Sequence, residues 1–333
     1  MKFVEQRGAT MKKMVLYLFG LLFGLPCVLP GALPPDVMIA RFKDDCAAAV
    51  SLTFDDATRS HVETAIPVLD RYGLKGTFFL LCSNIHPDGA STWEAWRRAV
   101  ANGHEAGSHS LTHPLLTKVQ DMSRVLSEIE GSADLIEAKV GVRPVAFAYP
   151  ESDFNDFVKK TVLDVYVFDR ADCRVWGGAG FSEKSGIRHL EQAVENNEWF
   201  YCMLHGVGED TWGALDPDIL DGLARYLVAH RDRLWTDTYS RVNSYVRKRN
   251  AADINLRNVR PDRFEFRLSL PDESIYKRLL PVPLTVKIAL EGRDGSRVSA
   301  SLDGKPLSLR PSGCGHYVLV DLQADGSWVD VSW

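Results

Sequence analysis

A parallel α/β domain curled into a barrel that does not quite close, followed by a small antiparallel β-sandwich, is the fold the sequence predicts. Two patterns carry this reading. From Ala47 to about Arg249, short apolar runs alternate with segments of helical period, which implies parallel strands joined by right-handed crossovers. Past Asn250 the period falls to two: Phe264, Phe266, Leu268 and Leu270 alternate, as do Leu284, Val286, Ile288 and Leu290. The 333 residues accommodate both parts, one of ~200–250 residues and a smaller one.

At the N-terminus, Lys12 and Lys13 precede the apolar run Met14–Leu29, and Pro30-Gly31-Ala32 offers small residues for cleavage, so residues 1–32 read as an export signal. Gly20, Gly24 and Pro26 break the run, which is short for a membrane span, and Pro26 ahead of Cys27 argues against a lipid anchor. The expectation is a secreted or periplasmic protein with no stable span after cleavage.

The barrel is assigned to 40–250. Ala47–Phe54 is its first strand. Val62–Tyr72 is helical by its apolar spacing, kinked at Pro67 and stopped by Gly73. Thr77–Leu81 is the second strand, and Trp93, Trp96 and Val100 mark a helix face that ends at Gly103. His104–Ser110 returns toward the core. Met122, Val125, Leu126, Ile129, Leu135 and Ile136 form one helical stripe that Gly141 terminates. Val145–Tyr149, Val165–Phe168 and Trp199–Leu204 are strands, and Phe157–Leu163 and Ile187–Val194 are helices. Asp216-Pro217 supplies a cap and a first-position proline for a helix to about Ala229, and a last helix covers Tyr239–Lys248. Six or seven strands favour an incompletely closed barrel. Residues 251–333 form the sandwich, with Asp303-Gly304 as a hairpin turn.

Bulk chemistry narrows the function. The net charge of −5 is dispersed with no basic block, so no footprint for nucleic acid exists. The six cysteines form no CxxC pair, which argues against a zinc ribbon or a thioredoxin-type site.

Ser51-Leu52-Thr53-Phe54-Asp55-Asp56 ends a buried strand in two adjacent carboxylates, and such acids need a cationic partner. His109 and His113 stand four apart; Pro114 disfavours helical geometry at His113, so the pair belongs to a turn with a helix starting at Pro114. Two imidazoles and one carboxylate match the ligand set of a catalytic zinc. One acid of the pair ligates and the other takes a proton from water. His205, after the strand ending Cys202-Met203-Leu204, has the character of the acid that protonates the leaving group.

Thr53-Phe54-Asp55-Asp56, then Gly103-His104-Glu105-Ala106-Gly107-Ser108-His109 running on to His113-Pro114, then Leu204-His205, resemble three ordered motifs of the polysaccharide deacetylase family, also called NodB-homology or carbohydrate esterase family 4. The resemblance spans about Ala47 to Arg249. It implies a distorted (β/α)-barrel of the NodB type and metal-dependent removal of N- or O-acetyl groups from a glycan. By position it implies Asp55 as general base, Asp56, His109 and His113 as metal ligands, and His205 as general acid. The cofactor is a divalent metal ion, Zn2+ first, with Co2+, Ni2+ or Mn2+ as alternatives. A non-catalytic carbohydrate-binding protein on a degenerate barrel is the competing class, and a peptidoglycan-stem amidase a third.

Two motifs depart from the family, the milder case being Ala57 in place of the glycine that often follows the acid pair. Phe147-Ala148-Tyr149-Pro150-Glu151 lacks the arginine that steadies the catalytic aspartate in the family; Arg170 or Arg143 could substitute, with Arg170 preferred because it follows the next strand. The family's oxyanion contact is a backbone N–H at the position of Glu151, which survives a change of side chain. Asp169 or Asp172 is expected to orient His205. Tyr149, Pro150, Trp176 and Trp212 are expected at the mouth as substrate contacts, the tryptophans by stacking on sugar faces.

Overall fold

The computed structural model describes residues 35–208 and 211–333; the expected export signal and Cys27 lie outside the described residues. The first strand, β1 (Val37–Ile39), precedes the barrel. The barrel strands are β2 (Ala48–Asp55), β3 (Thr77–Leu80), β4 (Glu105–Ser108), β5 (Ala146–Ala148), β6 (Phe168–Arg170), β7 (Arg174–Val175), β8 (Trp199–Leu204) and β9 (Leu234–Thr236). They pair in parallel in the order β6-β5-β4-β3-β2-β8-β7, and β9 adds to the start of β2 along Ala48–Val50. Because helices cover such a sheet, β2 is buried at every position and reads as a continuous run with no alternation. β6 and β7 do not pair, so the barrel stays open. The two strands absent from the sequence expectation, β7 and β9, are two and three residues long, too short to show a period.

The sandwich consists of β10 (Asp253–Arg257), β11 (Arg263–Ser269), β12 (Leu284–Ala289), β13 (Ser299–Leu302), β14 (Lys305–Pro306), β15 (Arg310–Pro311), β16 (Tyr317–Leu322) and β17 (Asp325–Ser332). Its antiparallel sheets run β10-β11-β17-β13-β14 and β1-β12-β16-β15, so the strand ahead of the barrel completes the sandwich, with Val37 opposite Ile288. The alternating residues Phe264, Phe266, Leu268, Val286 and Ile288 are all buried. Asp303 and Gly304 both take positive φ, 50° and 74°, as a tight hairpin between β13 and β14 requires.

Barrel and sandwich share apolar contacts. Ala49, Trp235, Val242 and Tyr245 lie in one cluster with Phe264, Phe266 and Val286. Leu279 packs with Phe79, Ala146 and Phe168 of the barrel strands. A chain truncated after Asn250 would uncover both sets, so it is expected to be recovered aggregated or unfolded; a soluble monomer with cooperative unfolding, by size-exclusion chromatography and thermal melting, would contradict this.

Three local expectations change. The break near Pro67 is a wide π-turn over His61–Ala65, where Ile66 N–H donates to the His61 carbonyl; this local shift of the hydrogen-bond pattern accommodates Pro67, which has no N–H, in the helical segment Ile66–Arg71. A second π-turn, Ser127–Gly131, interrupts the helical stretch from Met122 to Val140. The stripe rotates there, so Val125, Ile129 and Ile136 are buried while Met122 and Leu126 are exposed. Pro114 opens no helix; the chain continues to a single 3-10 turn at Leu116–Lys118.

Candidate active site

The C-terminal ends of the barrel strands deliver the site. Asp55 is the last residue of β2 and is buried, while Asp56 and Ala57 turn away with φ of 79° and 52°. Beyond β4, Ser110 and His113 have φ of 68° and 62°; beyond β5, Glu151 and Ser152 have 53° and 54°. Each of the three loops therefore holds non-glycine residues in the left-handed region, where a side chain costs ~1–2 kcal/mol. Strain of this kind concentrates where a site is held in one geometry.

These loops enclose a cleft of about 440 Å³. His109 Nε2 lies 3.2 Å from His113 Nε2 and 3.6 Å from Asp56 Oδ1, and His113 Nε2 lies 3.8 Å from the same oxygen. The spacing is near the ~3.3 Å between donors in a tetrahedron with bonds of ~2.0–2.1 Å. The chemistry also fits a cation. His109 Nδ1–H donates to the Ala148 carbonyl at 2.8 Å, which leaves Nε2 as a bare lone pair facing the other imidazole. Burial pulls the His109 pKa down against the raising effect of Asp55 and Asp56, so the ring is neutral, as a ligand must be.

Asp55 Oδ2 accepts from Arg170 Nη2, and both side chains are almost fully buried. The guanidinium also stands over the Phe79 ring, 4.8 Å from its centroid. Burial alone would raise the Asp55 pKa; Arg170, then His109 and His205, outweigh it and hold the carboxyl below its ordinary value. Oδ1, also buried, takes no hydrogen bond from the described residues. Arg143, the alternative partner, pairs at the surface with Asp134 and Glu137.

His205 faces the same cleft, its Nε2 3.7 Å from Asp56 Oδ2. Trp212 is 70% exposed and meets the His205 ring edge-on with centroids 4.8 Å apart. Tyr149 and Glu151 line the cleft, and the Tyr149 hydroxyl donates to Asp169 at 3.2 Å.

Four expected placements are corrected. Trp176 is fully buried among Phe181 and Phe200 and donates its indole N–H to His189, so it offers no face to a sugar. Pro150 is buried and does not line the cleft. Asp172 is exposed and accepts from the Cys173 backbone N–H, and Asp169 is occupied by Tyr149 and Lys159, so neither meets His205.

Ser60 and His61 hold the His205 turn instead, a role that sequence reading did not assign. His61 Nε2–H donates to the His205 carbonyl at 2.8 Å, and the Val207 N–H donates to Ser60 Oγ at 2.9 Å. Burial among Phe54, Phe78 and Trp96 lowers the His61 pKa to about 4, which keeps the ring neutral. Only their nearness to Asp55-Asp56 in the chain could have pointed to them.

Residues 43–165 match the sequence profile of the polysaccharide deacetylase family. The peptidoglycan-N-acetylglucosamine deacetylase PgdA of Listeria monocytogenes is 31% identical over 171 residues, 51% of this chain and 35% of that protein. The peptidoglycan-N-acetylmuramic acid deacetylase PdaC of Bacillus subtilis is 32% identical over 124 residues, 36% of this chain and 25% of that protein. A gellan lyase from a Bacillus species aligns over 82% of this chain at 25% identity, yet the match spans only 12% of that protein. The chain thus spans about a third or less of these relatives. A solved Mycobacterium smegmatis structure, provisionally assigned as a polysaccharide deacetylase, has the same barrel, with a TM-score of 0.50 at 16% identity over 64% of this chain and 94% of that one. Residues 43–165 of the barrel thus carry the sequence pattern of the polysaccharide deacetylase family, and the chain is similar to its members over that part.

Proposed function

We propose that the protein is a metal-dependent hydrolase that removes N- or O-acetyl groups from a polysaccharide or oligosaccharide outside the cytoplasm. The observation that carries this reading is the convergence of the Asp56, His109 and His113 donor atoms, all within 4.8 Å of one another, beside the buried Asp55. These three residues would hold a divalent cation, zinc first, which when bound supplies Lewis-acid polarisation and lowers the pKa of water toward ~7.

The chain's own residues do the rest. Asp55 takes the proton of the attacking water at Oδ1, while Arg170 holds Oδ2 and keeps the group ionised. The backbone N–H of Glu151 donates to the oxyanion that develops on the acetyl oxygen. His205 protonates the departing amine or alkoxide, and acetate leaves. Trp212, largely exposed, supplies the wall against which a sugar ring rests, while Tyr149, buried against Phe154, backs the cleft.

Acetate release from a panel of acetylated glycans by the purified full chain tests this. Chelation is expected to stop release and added Zn2+ or Co2+ to restore it. Glycan binding with no acetate at any added metal would instead support a binding protein on an inactive barrel.

A further inference from the structure

The turn that carries His113 is strained at both ends, at Ser110 and His113, and something must hold it. Within it, His113 N–H donates to Ser110 Oγ at 2.9 Å. The larger hold comes from outside. Glu128, buried in the π-turn Ser127–Gly131, reaches into the concavity between the two strained residues. Leu111 N–H and Thr112 N–H donate to its Oε2 at 2.9 and 2.8 Å, and the Thr112 hydroxyl donates to Oε1. Successive backbone N–H groups of this kind form a nest for an anion, and here the anion is a side chain of the same protein.

The π-turn meets the turn at further points. A Cβ on Gly131 would stand 3.3 Å from Leu111 Cδ1, so the glycine permits the close approach. Ser132 Oγ bonds Ser108 Oγ at 2.8 Å, just ahead of His109. An α-helix with one residue fewer in this stretch would rotate Glu128 away from the turn, and π-turns recur where a helix must aim a side chain at a site.

We propose that Glu128 is a positioning residue for the metal centre, clamping the turn so that His113 Nε2 meets His109 Nε2 and Asp56. It touches none of the reacting atoms. The inference rests on reading Asp56, His109 and His113 as ligands.

The test is Zn2+ affinity of the full chain, measured by chelator competition on metal-free protein, with the visible absorption of bound Co2+ as a second readout. Glu128→Leu keeps most of the bulk of the side chain but has no atom that accepts from an N–H, whereas a Gln carbonyl could replace the one oxygen that takes both N–H groups. The expected result is a rise in the Zn2+ Kd of about 10- to 100-fold, the usual effect of losing a group that orients a ligand, with an altered Co2+ spectrum. Ile129→Ala serves as control, because it loosens the same π-turn without touching the clamp and is expected to lower the unfolding midpoint while leaving Kd within about threefold. A Glu128→Leu Kd within threefold of the unaltered chain overturns the proposal, as does an equal loss of affinity in Glu128→Leu and Ile129→Ala. Failure of the unaltered chain to bind Zn2+ overturns the ligand reading itself, and is distinguished by that.

Discussion

Arg170→Ala is expected to lower stability by about 3–5 kcal/mol, the usual cost of removing one partner of a buried ion pair, and to cut turnover roughly 100-fold or more. The reason is that Asp55 and Arg170 are buried together, so the lone carboxylate left behind has no guanidinium to meet. In the unaltered chain the Asp55 pKa lies below its ordinary value, Arg170 being the largest influence opposing burial. Its stabilising contribution is therefore fully present above the unfolded carboxyl pKa of ~3.9 and is lost as pH falls through the lower folded value. In the variant, burial acts without the guanidinium, the carboxyl rises, and the acid limb of the rate profile moves to higher pH. Urea unfolding and acetate release against pH measure both. The double variant Asp55→Asn with Arg170→Met removes both charges and should recover much of the stability with none of the activity, because a flexible Met can cover Phe79. If Arg170→Ala unfolds at the unaltered urea concentration, the pair contributes little and the assignment of its role fails.

His109→Ala is expected to abolish metal binding at micromolar zinc. Structural zinc sites bind with ~10–16 kcal/mol shared among four ligands, or roughly 3–4 kcal/mol each, so one lost ligand costs about 100- to 1,000-fold in affinity. His109 should exceed an average ligand. It is buried, its ring is oriented by the Ala148 carbonyl, and its Nε2 stands close to both other donors. His113, at the more open side of the cleft, has no comparable bond to its other ring nitrogen among the described residues and should be the milder loss. Metal content after dialysis, by atomic emission, ranks the two; zinc retained at one per chain in His109→Ala would remove this residue from the ligand set.

The sequence made the parallel barrel legible because β2 and β3 are buried at every position and its helices keep the 3.6-residue period. The sandwich was legible through strict alternation, as at Phe264, Phe266 and Leu268. Pattern could not reveal that Val37–Ile39 joins the sandwich sheet, since pairing between residues 37 and 288 leaves no local trace. The site followed the same division. Asp55, Asp56, His109, His113 and His205 stand at strand ends in ordered motifs, and the cleft gathers all of them. Arg170 could be weighed as a substitute because β5 and β6 are neighbours, with Ala148 opposite Arg170 in the register. Trp176 misled because an indole in a loop looks like a sugar platform until the core claims it. Asp172 misled because a carboxylate two residues past β6 can satisfy a local backbone N–H as readily as a distant imidazole. Glu128 was invisible because a π-turn has no signature in the hydrophobic period and breaks the stripe it interrupts.

The division of labour between the two adjacent acids is tested most directly by Asp55→Asn, assayed in parallel for bound zinc and for acetate released from acetylated oligosaccharides. The side chain stays the same size and Asp56, His109 and His113 are untouched, so one zinc per chain with acetate release lowered at least ~100-fold is expected. Release at the unaltered rate, or loss of zinc together with activity, would contradict a free Asp55 acting beside a metal held by its neighbour.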